Sequence, residues 1–195
     1  MSRFIESICC IDGEYPLLDW HQRRLEHVFK NHFPTNQPHR LSDQLPQISE
    51  TGRHKVRFVY DQHEFEIEHH PYQPKIVKSL KIVEAPVLDY SFKYEDRSKL
   101  VGLFKEKGSA DDILITQNGH ITDSSYSNVA FWDGLEWFTP TTYLLNGVRR
   151  QYLISTGAII ERPIMIEDIK NYEKVCLINA MLELGEVEIA TNNIH

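Results

Sequence analysis

Four places in the chain carry residue types able to do chemistry. Lys93 sits in Tyr90-Ser91-Phe92-Lys93-Tyr94. Aromatic flanks that desolvate a lysine lower its pKa and make its amine nucleophilic. The same segment fits a solvated surface lysine. Asp123 follows Ile121-Thr122, a strand-end position from which a carboxylate can orient or protonate a ligand group. Asp123-Ser124-Ser125 is also turn composition. Leu145-Asn146-Gly147-Val148-Arg149-Arg150 enters a helix. Free amides at a helix N-terminus bind phosphate, and nearby arginine adds charge; an ordinary helix start reads the same way. Arg24 lies beside Leu25 and four residues after Trp20. It either faces inward as an anion ligand or lies in solvent paired with a neighbour such as Glu26.

These residues need elements to hold them. Residues 4–11 read as a strand, and Asp12-Gly13 as a turn. Asp19 is placed to cap a helix running to about Phe33, with Leu25, Val28 and Phe29 on one face. A loop over Pro34–Arg40 and a short helix follow. Val56–Tyr60 and Phe65–Glu68 alternate with period two and form a hairpin around Asp61-Gln62. Ser79–Ala85 is a further strand. Glu95–Lys107 reads as helical, with Leu100, Leu103 and Phe104 on its apolar side. Ile113-Leu114-Ile115 leads into Asn118-Gly119, a strong hairpin pair. Val129–Trp132 and Trp137–Thr139 form a second hairpin across Asp133-Gly134. Gly147 precedes a helix to about Ser155, and Val175–Ile178 is a buried strand. The sum is a strand-rich α+β protein. A small α/β lobe covers 1–85, and a larger lobe of antiparallel hairpins covers 86–195.

Composition narrows the function classes. The chain has 195 residues, 41% hydrophobic and 25% charged, an ordinary profile for a soluble globular protein. Apolar runs are too short for a membrane span. No basic stretch leads into a signal-type apolar run at the N-terminus, so a cytoplasmic location is expected. The net charge of −7 argues against a nucleic acid partner. Cys9, Cys10 and Cys176 imply neither a disulfide framework nor a zinc pattern. His69 and His70 point to opposite faces of a strand. His54 and His63 lack a carboxylate at metalloprotease spacing, so no metal site is expected.

The order of these residues along the chain resembles the fold-type IV pyridoxal-phosphate enzymes, the aminotransferase class IV family. The nearest resemblance is to its aminodeoxychorismate lyase-like members. Phe4-Ile5-Glu6-Ser7 resembles the family's Phe-Glu-Thr strand. His21-Gln22-Arg23-Arg24-Leu25 resembles its His-x-x-Arg-Leu, which implies that Arg24 holds the cofactor phosphate. Lys93-Tyr94-Glu95-Asp96-Arg97 is similar to the segment opening with the Schiff-base lysine. Asp112–Ile115, Gly119–Asp123 and Ser127–Phe131 are similar to the central signature, whose acid contacts the pyridine nitrogen. Thr139-Pro140 and Leu145–Arg150 match its Thr-Pro and Leu-x-Gly-x-x-Arg. Ile178-Asn179-Ala180-Met181 resembles the second phosphate-side loop of the lyases.

The resemblance implies a two-lobed fold, a homodimer and pyridoxal 5'-phosphate as cofactor. Lys93 would hold the cofactor aldehyde and act as base at Cα. Asp123 would keep the pyridine nitrogen protonated. Arg24, the amides of Val148 and Arg149, and Asn179-Ala180 would clamp the phosphate. Three departures accompany it. Asp123 replaces the usual Glu and is one methylene shorter. Arg149 stands where the family often has Thr, so a hydroxyl contact is lost. The strand and turn residues that normally precede Phe4 are missing. Arg57 could meet a substrate carboxylate or pair with Glu66 or Glu68 across its hairpin. The activity implied is release of 4-aminobenzoate and pyruvate from 4-amino-4-deoxychorismate. A branched-chain or D-amino acid aminotransferase and a non-catalytic cofactor-binding member are the alternatives.

Overall fold

A computed structural model describes residues 2–33, 37–86 and 90–195. Part of the expected Pro34–Arg40 loop lies outside them. The fold is mixed α+β. The chain divides into two compact units, Met1–Gln73 with Phe92–Asp96, and Pro74–Ser91 with Arg97–His195. The break thus falls near residue 73 rather than 85, and a short later segment, the one carrying Lys93, returns to the first unit.

In the first unit β1 (Phe4–Ile11), β2 (Arg53–Tyr60) and β3 (Phe65–Pro71) form an antiparallel sheet in the order β1-β2-β3. Glu6 lies opposite Phe58, and Phe4 opposite Tyr60. The turn after β1 places Asp12 and Gly13 at φ 49° and 87°, where glycine carries no steric cost. Helix α1 (Leu18–His32) buries His21, Leu25, Val28 and Phe29. The last three join Ile8, Cys10, Val56 and Phe58 in one apolar core. Asp19 does not cap this helix: Leu17 is the N-cap, without a side-chain hydrogen bond, and Asp19 lies in the first turn, where its charge suits the helix dipole. The short helix α2 (Leu41–Gln44) follows.

Residues 93–95 are not helical. The Ile5 N–H donates to the Lys93 carbonyl at 2.9 Å and the Glu95 N–H to the Arg3 carbonyl at 2.9 Å. Phe4 and Tyr94 form an antiparallel bridge. The segment therefore occupies the edge of β1 that β2 leaves open. Those backbone bonds delay the next helix, α3 (Ser98–Phe104), to Ser98.

The second unit is built on β4 (Leu80–Glu84), β5 (Asp112–Gln117), β6 (His120–Ser124), β7 (Asn128–Trp132), β8 (Trp137–Pro140), β9 (Ile160–Arg162), β10 (Lys174–Ile178) and β11 (Glu188–Ala190). The strand order is β11-β10-β7-β6-β5-β4, with β8 paired to β7 and β9. Pairs β4/β5 and β8/β9 are parallel, which a reading of antiparallel hairpins does not include. The β5–β6 turn has Asn118 and Gly119 at φ 51° and 77°, as a tight hairpin of that sequence requires. Helix α4 (Val148–Ser155) starts after Gly147. Its Leu153 packs with Ala130, Ile159, Cys176 and Ile178. Among the described residues no helix is long and apolar enough to cross a membrane.

Candidate functional site

The first unit contains a buried polar cluster inside an apolar strand–helix contact. Glu6 on β1 is 1% exposed and His21 on α1 is fully buried. Period-two alternation turns Glu6 toward the core, where only charged partners justify a carboxylate. The partners come from α1, three residues apart and so on one helix face. His21 Nδ1 lies 2.5 Å from Glu6 Oε2, and Arg24 Nε donates to Oε1 at 2.8 Å. An Arg24 terminal nitrogen also donates to Oε2. Burial pushes the Glu6 carboxyl up. The Arg24 charge and the hydrogen bonds from His21 and Arg24 outweigh it and hold the group at about 2. Burial pushes His21 down; its bond to Glu6 opposes this, while the charges of Arg24 and Lys93 add to it. The cluster is therefore a carboxylate, a guanidinium and a neutral imidazole. Within it His21 Nε2 is buried without a hydrogen-bond partner, and so is the nearby Tyr60 hydroxyl.

Arg24 is thus turned inward and gripped by Glu6, with its side chain 10% exposed. Lys93 is half-buried in the same unit, and its neighbours Phe92 and Tyr94 pack on Phe4. Arg57 is engaged in ion pairs, with Glu68 at 3.2 Å and Glu95 at 2.9 Å. The cross-hairpin partner explains it, together with an acid two residues after Lys93.

In the second unit Asp123 is the penultimate residue of β6 and is buried. Asn128 Nδ2 donates to its Oδ1 at 2.5 Å, and the N–H groups of Leu144 and Leu145 donate to its Oδ2 at 2.5 and 3.2 Å. Burial pushes the carboxyl up to about 7 against those three bonds and the charge of Arg150. Such an acid is ionised more readily when a cation is placed against it.

Asn128 links this acid to the start of α4. Its Nδ2 also donates to the Leu145 carbonyl at 2.8 Å. A Cβ at Gly147 would stand 2.1 Å from its Oδ1. Glycine is needed there for close approach, since its φ is an ordinary −67°. The first bond inside the helix is Gln151 N–H to the Gly147 carbonyl at 3.0 Å, and no side chain caps the end. The amides of Val148 and Arg149 precede that bond, as an anion cradle requires.

The Arg149 side chain reaches the Asn179 carbonyl and Glu183, each at 3.4 Å. Asn179 Oδ1 accepts from the amides of Met181 and Leu182 at 2.7 and 3.1 Å, closing a tight turn around buried Ala180. Its Nδ2 donates to Ser127 Oγ at 2.8 Å. Arg150, also buried, binds the Pro140 carbonyl, Asn146 and Glu161 and so fixes the loop that leads into α4.

The second unit thus brings Asp123, Val148, Arg149, Asn179 and Ala180 into one bonded neighbourhood, and the first holds Arg24 and Lys93. Sequence reasoning missed Glu6, His21, Asn128 and Arg150 as site-builders. One signal for Glu6 was present: a carboxylate inside the apolar run Phe4–Ile11.

Comparisons with known proteins show the family and the fold. The family described as amino-transferase class IV matches residues 91–189. A Haemophilus influenzae protein of uncharacterised function is 34% identical over 93% of this chain and 98% of its own. A crystal structure from Haemophilus somnus 129PT, provisionally named as a 4-amino-4-deoxychorismate lyase, is 32% identical. It covers 94% of this chain and 98% of its own, with a TM-score of 0.89. A Mycobacterium tuberculosis protein described as a hypothetical aminotransferase, in its PLP-bound form, shares the fold at 14% identity and a TM-score of 0.72. That match covers 98% of this chain and 81% of its own.

Proposed function

The chain belongs to the class IV amino-transferase family, and on that premise we propose that it is a pyridoxal-phosphate-dependent enzyme acting at Cα of an amino-bearing substrate. The activity is that of a lyase, releasing 4-aminobenzoate and pyruvate from 4-amino-4-deoxychorismate. The observation that carries the cofactor reading is the donor set of the second unit. A buried acid lies one side chain, Asn128, away from a helix start without a side-chain cap, whose glycine admits that Asn128 and whose first amides are open to an anion. A phosphate and a protonated ring nitrogen on one small molecule match that set.

When bound, pyridoxal phosphate supplies an electron sink for negative charge at the substrate Cα. In this reading the amides of Val148 and Arg149, the Asn179-Ala180 turn and, from the first unit, Arg24 would hold the phosphate. Asp123 would keep a proton on the ring nitrogen. Lys93 would hold the cofactor through its amine and would be the base for the proton at Cα. The shorter acid keeps its role because its oxygens are fixed by three N–H donors. Arg149 contributes its amide, and its side chain closes the neighbouring turn. These groups serve a lyase and a transaminase alike; the likeness to the Haemophilus somnus protein supports the lyase.

Folate biosynthesis in the cytoplasm and a homodimeric assembly belong to the same reading. Absorbance titration with pyridoxal phosphate, borohydride reduction and peptide mapping test it. The label is expected on Lys93, with 4-aminobenzoate released from 4-amino-4-deoxychorismate. A label on Lys99 or Lys105 overturns the assignment. Keto-acid-dependent turnover without 4-aminobenzoate selects the aminotransferase, and bound cofactor with no turnover the non-catalytic alternative.

A further inference from the structure

Among the described residues Arg97 has no carboxylate as counter-charge. Arg3, Arg24, Arg57, Arg149 and Arg150 each contact a carboxylate. Among the described residues none lies within ion-pair distance of Arg97, which is half-buried. Its Nε is buried without an acceptor. One terminal nitrogen donates to the Ser125 carbonyl at 2.7 Å, and its guanidinium sits 4.0 Å from the centre of the Tyr126 ring. A guanidinium withdrawn from water and lacking an anion is poorly satisfied until one arrives.

Tyr126 is the complementary oddity, a large aromatic that is 59% exposed yet fixed. Arg97 covers its ring, and Phe104 meets it edge-on at 6.5 Å. Its main chain is tied to the candidate cofactor site. The Tyr126 carbonyl accepts from Asn179 Nδ2 at 3.5 Å, and the next residue, Ser127, accepts from the same nitrogen at 2.8 Å. Asp123 lies three residues earlier. The turn is therefore anchored to the acid on one side and the Asn179 loop on the other, and the tyrosine ring is what it presents to solvent.

We infer that Arg97 and Tyr126 form a specificity site for a planar, unsaturated ring bearing a carboxylate. The ring stacks on the tyrosine, and the carboxylate supplies the anion that Arg97 lacks. The inference rests on the proposed reading and deepens it. A branched-chain amino acid offers nothing flat to stack, whereas the ring acid of the lyase substrate and its aromatic product offer both features.

Calorimetric titration of the full chain, with and without added pyridoxal phosphate, uses 4-aminobenzoate as probe. Aniline and acetate serve as half-probes. Binding of 4-aminobenzoate is expected to exceed that of either half-probe by at least about tenfold, and Tyr126→Ala and Arg97→Gln are each expected to weaken it by about tenfold or more. Tyr126→Phe, which keeps the stacking face, retains it, and Arg97→Lys gives a second reading should Arg97→Gln fold poorly. Cofactor titration is expected to change by less than about twofold in these variants, given that none removes a proposed phosphate contact. Undiminished 4-aminobenzoate binding in folded Tyr126→Ala and Arg97→Gln overturns the site, as does a wild-type protein that does not bind the probe. Probe binding that both variants abolish, without 4-aminobenzoate release from 4-amino-4-deoxychorismate, leaves the site standing and sinks the lyase reading.

Discussion

Replacing Glu6 by Gln tests whether the buried cluster is held by charge. The substitution keeps shape and removes the anion that Arg24 and His21 share. Its carboxyl sits at about 2 against an ordinary 4.5. At about 1.4 kcal/mol per pH unit, the charged form is favoured by about 3 kcal/mol in the folded protein. Deleting one partner of a buried ion pair costs about 3–5 kcal/mol, so about 3 kcal/mol is a cautious expectation. For a chain of this size, that lowers the melting temperature by roughly 6–12 °C. The pH dependence carries the decisive sign. A carboxyl with a depressed pKa gives stability that is fully present above 4.5 and lost as pH falls toward about 2. Thermal unfolding of wild type and Glu6→Gln, followed by calorimetry from pH 7 to pH 2.5, should show a gap that narrows below pH 4.5. Equal melting at pH 7, or a gap of constant size down to pH 2.5, would refute the charge argument and leave only shape.

Three further outcomes follow from the same geometry. Arg24→Ala should weaken pyridoxal phosphate binding by at least about tenfold, read by absorbance titration; unchanged affinity would make Arg24 purely a partner of Glu6. Gly147→Ala should cost about 2–4 kcal/mol in denaturant unfolding, since its Cβ displaces Asn128 from Asp123 and the Leu145 carbonyl; wild-type stability would mean that Asn128 moves freely. Asp123→Asn should lower turnover by at least about ten- to a hundredfold, and cofactor affinity much less. It should also remove, from the cofactor-free protein, a loss of stability as pH rises from 3.8 through about 7, the sign expected of an acid whose folded pKa is raised. Full activity would place another group at the ring nitrogen.

Local chemistry made much of this fold legible. Asn118-Gly119 announces its hairpin because both residues tolerate positive φ. Leu25, Val28 and Phe29 announce the inner face of α1 by their spacing. Gly147 announces the start of α4, but its reason for being glycine is Asn128, nineteen positions earlier in the chain. What stayed illegible depends on partners distant in sequence. The parallel pairs β4/β5 and β8/β9 are fixed by crossovers that leave no local mark. The apolar spacing of 95–107 suits a helix from its first residue, but the β1 edge claims residues 93–95 before α3 can begin.

The same contrast separates the residues proposed to do chemistry from those that hold them. Lys93, Asp123 and the amides after Gly147 stand out in the sequence because a reacting group must be of one kind and stand in one order. Their supports are interchangeable in kind and set by distance. A carboxylate on β1 fixes Arg24, an amide on β7 fixes Asp123, and a serine in the turn before β7 fixes Asn179. Each support satisfies a buried polar group that would otherwise cost about 1–3 kcal/mol. Glu6 was visible in the sequence only as a charge in the wrong place, and Arg97 emerged only in the structure, where no described carboxylate pairs with it. Both signals become specific once burial and partners are known. A charge in an apolar run marks a site-builder where the fold supplies its counter-ion, as for Glu6. Where the described residues supply none, as for Arg97, a ligand anion is the counter-ion we infer.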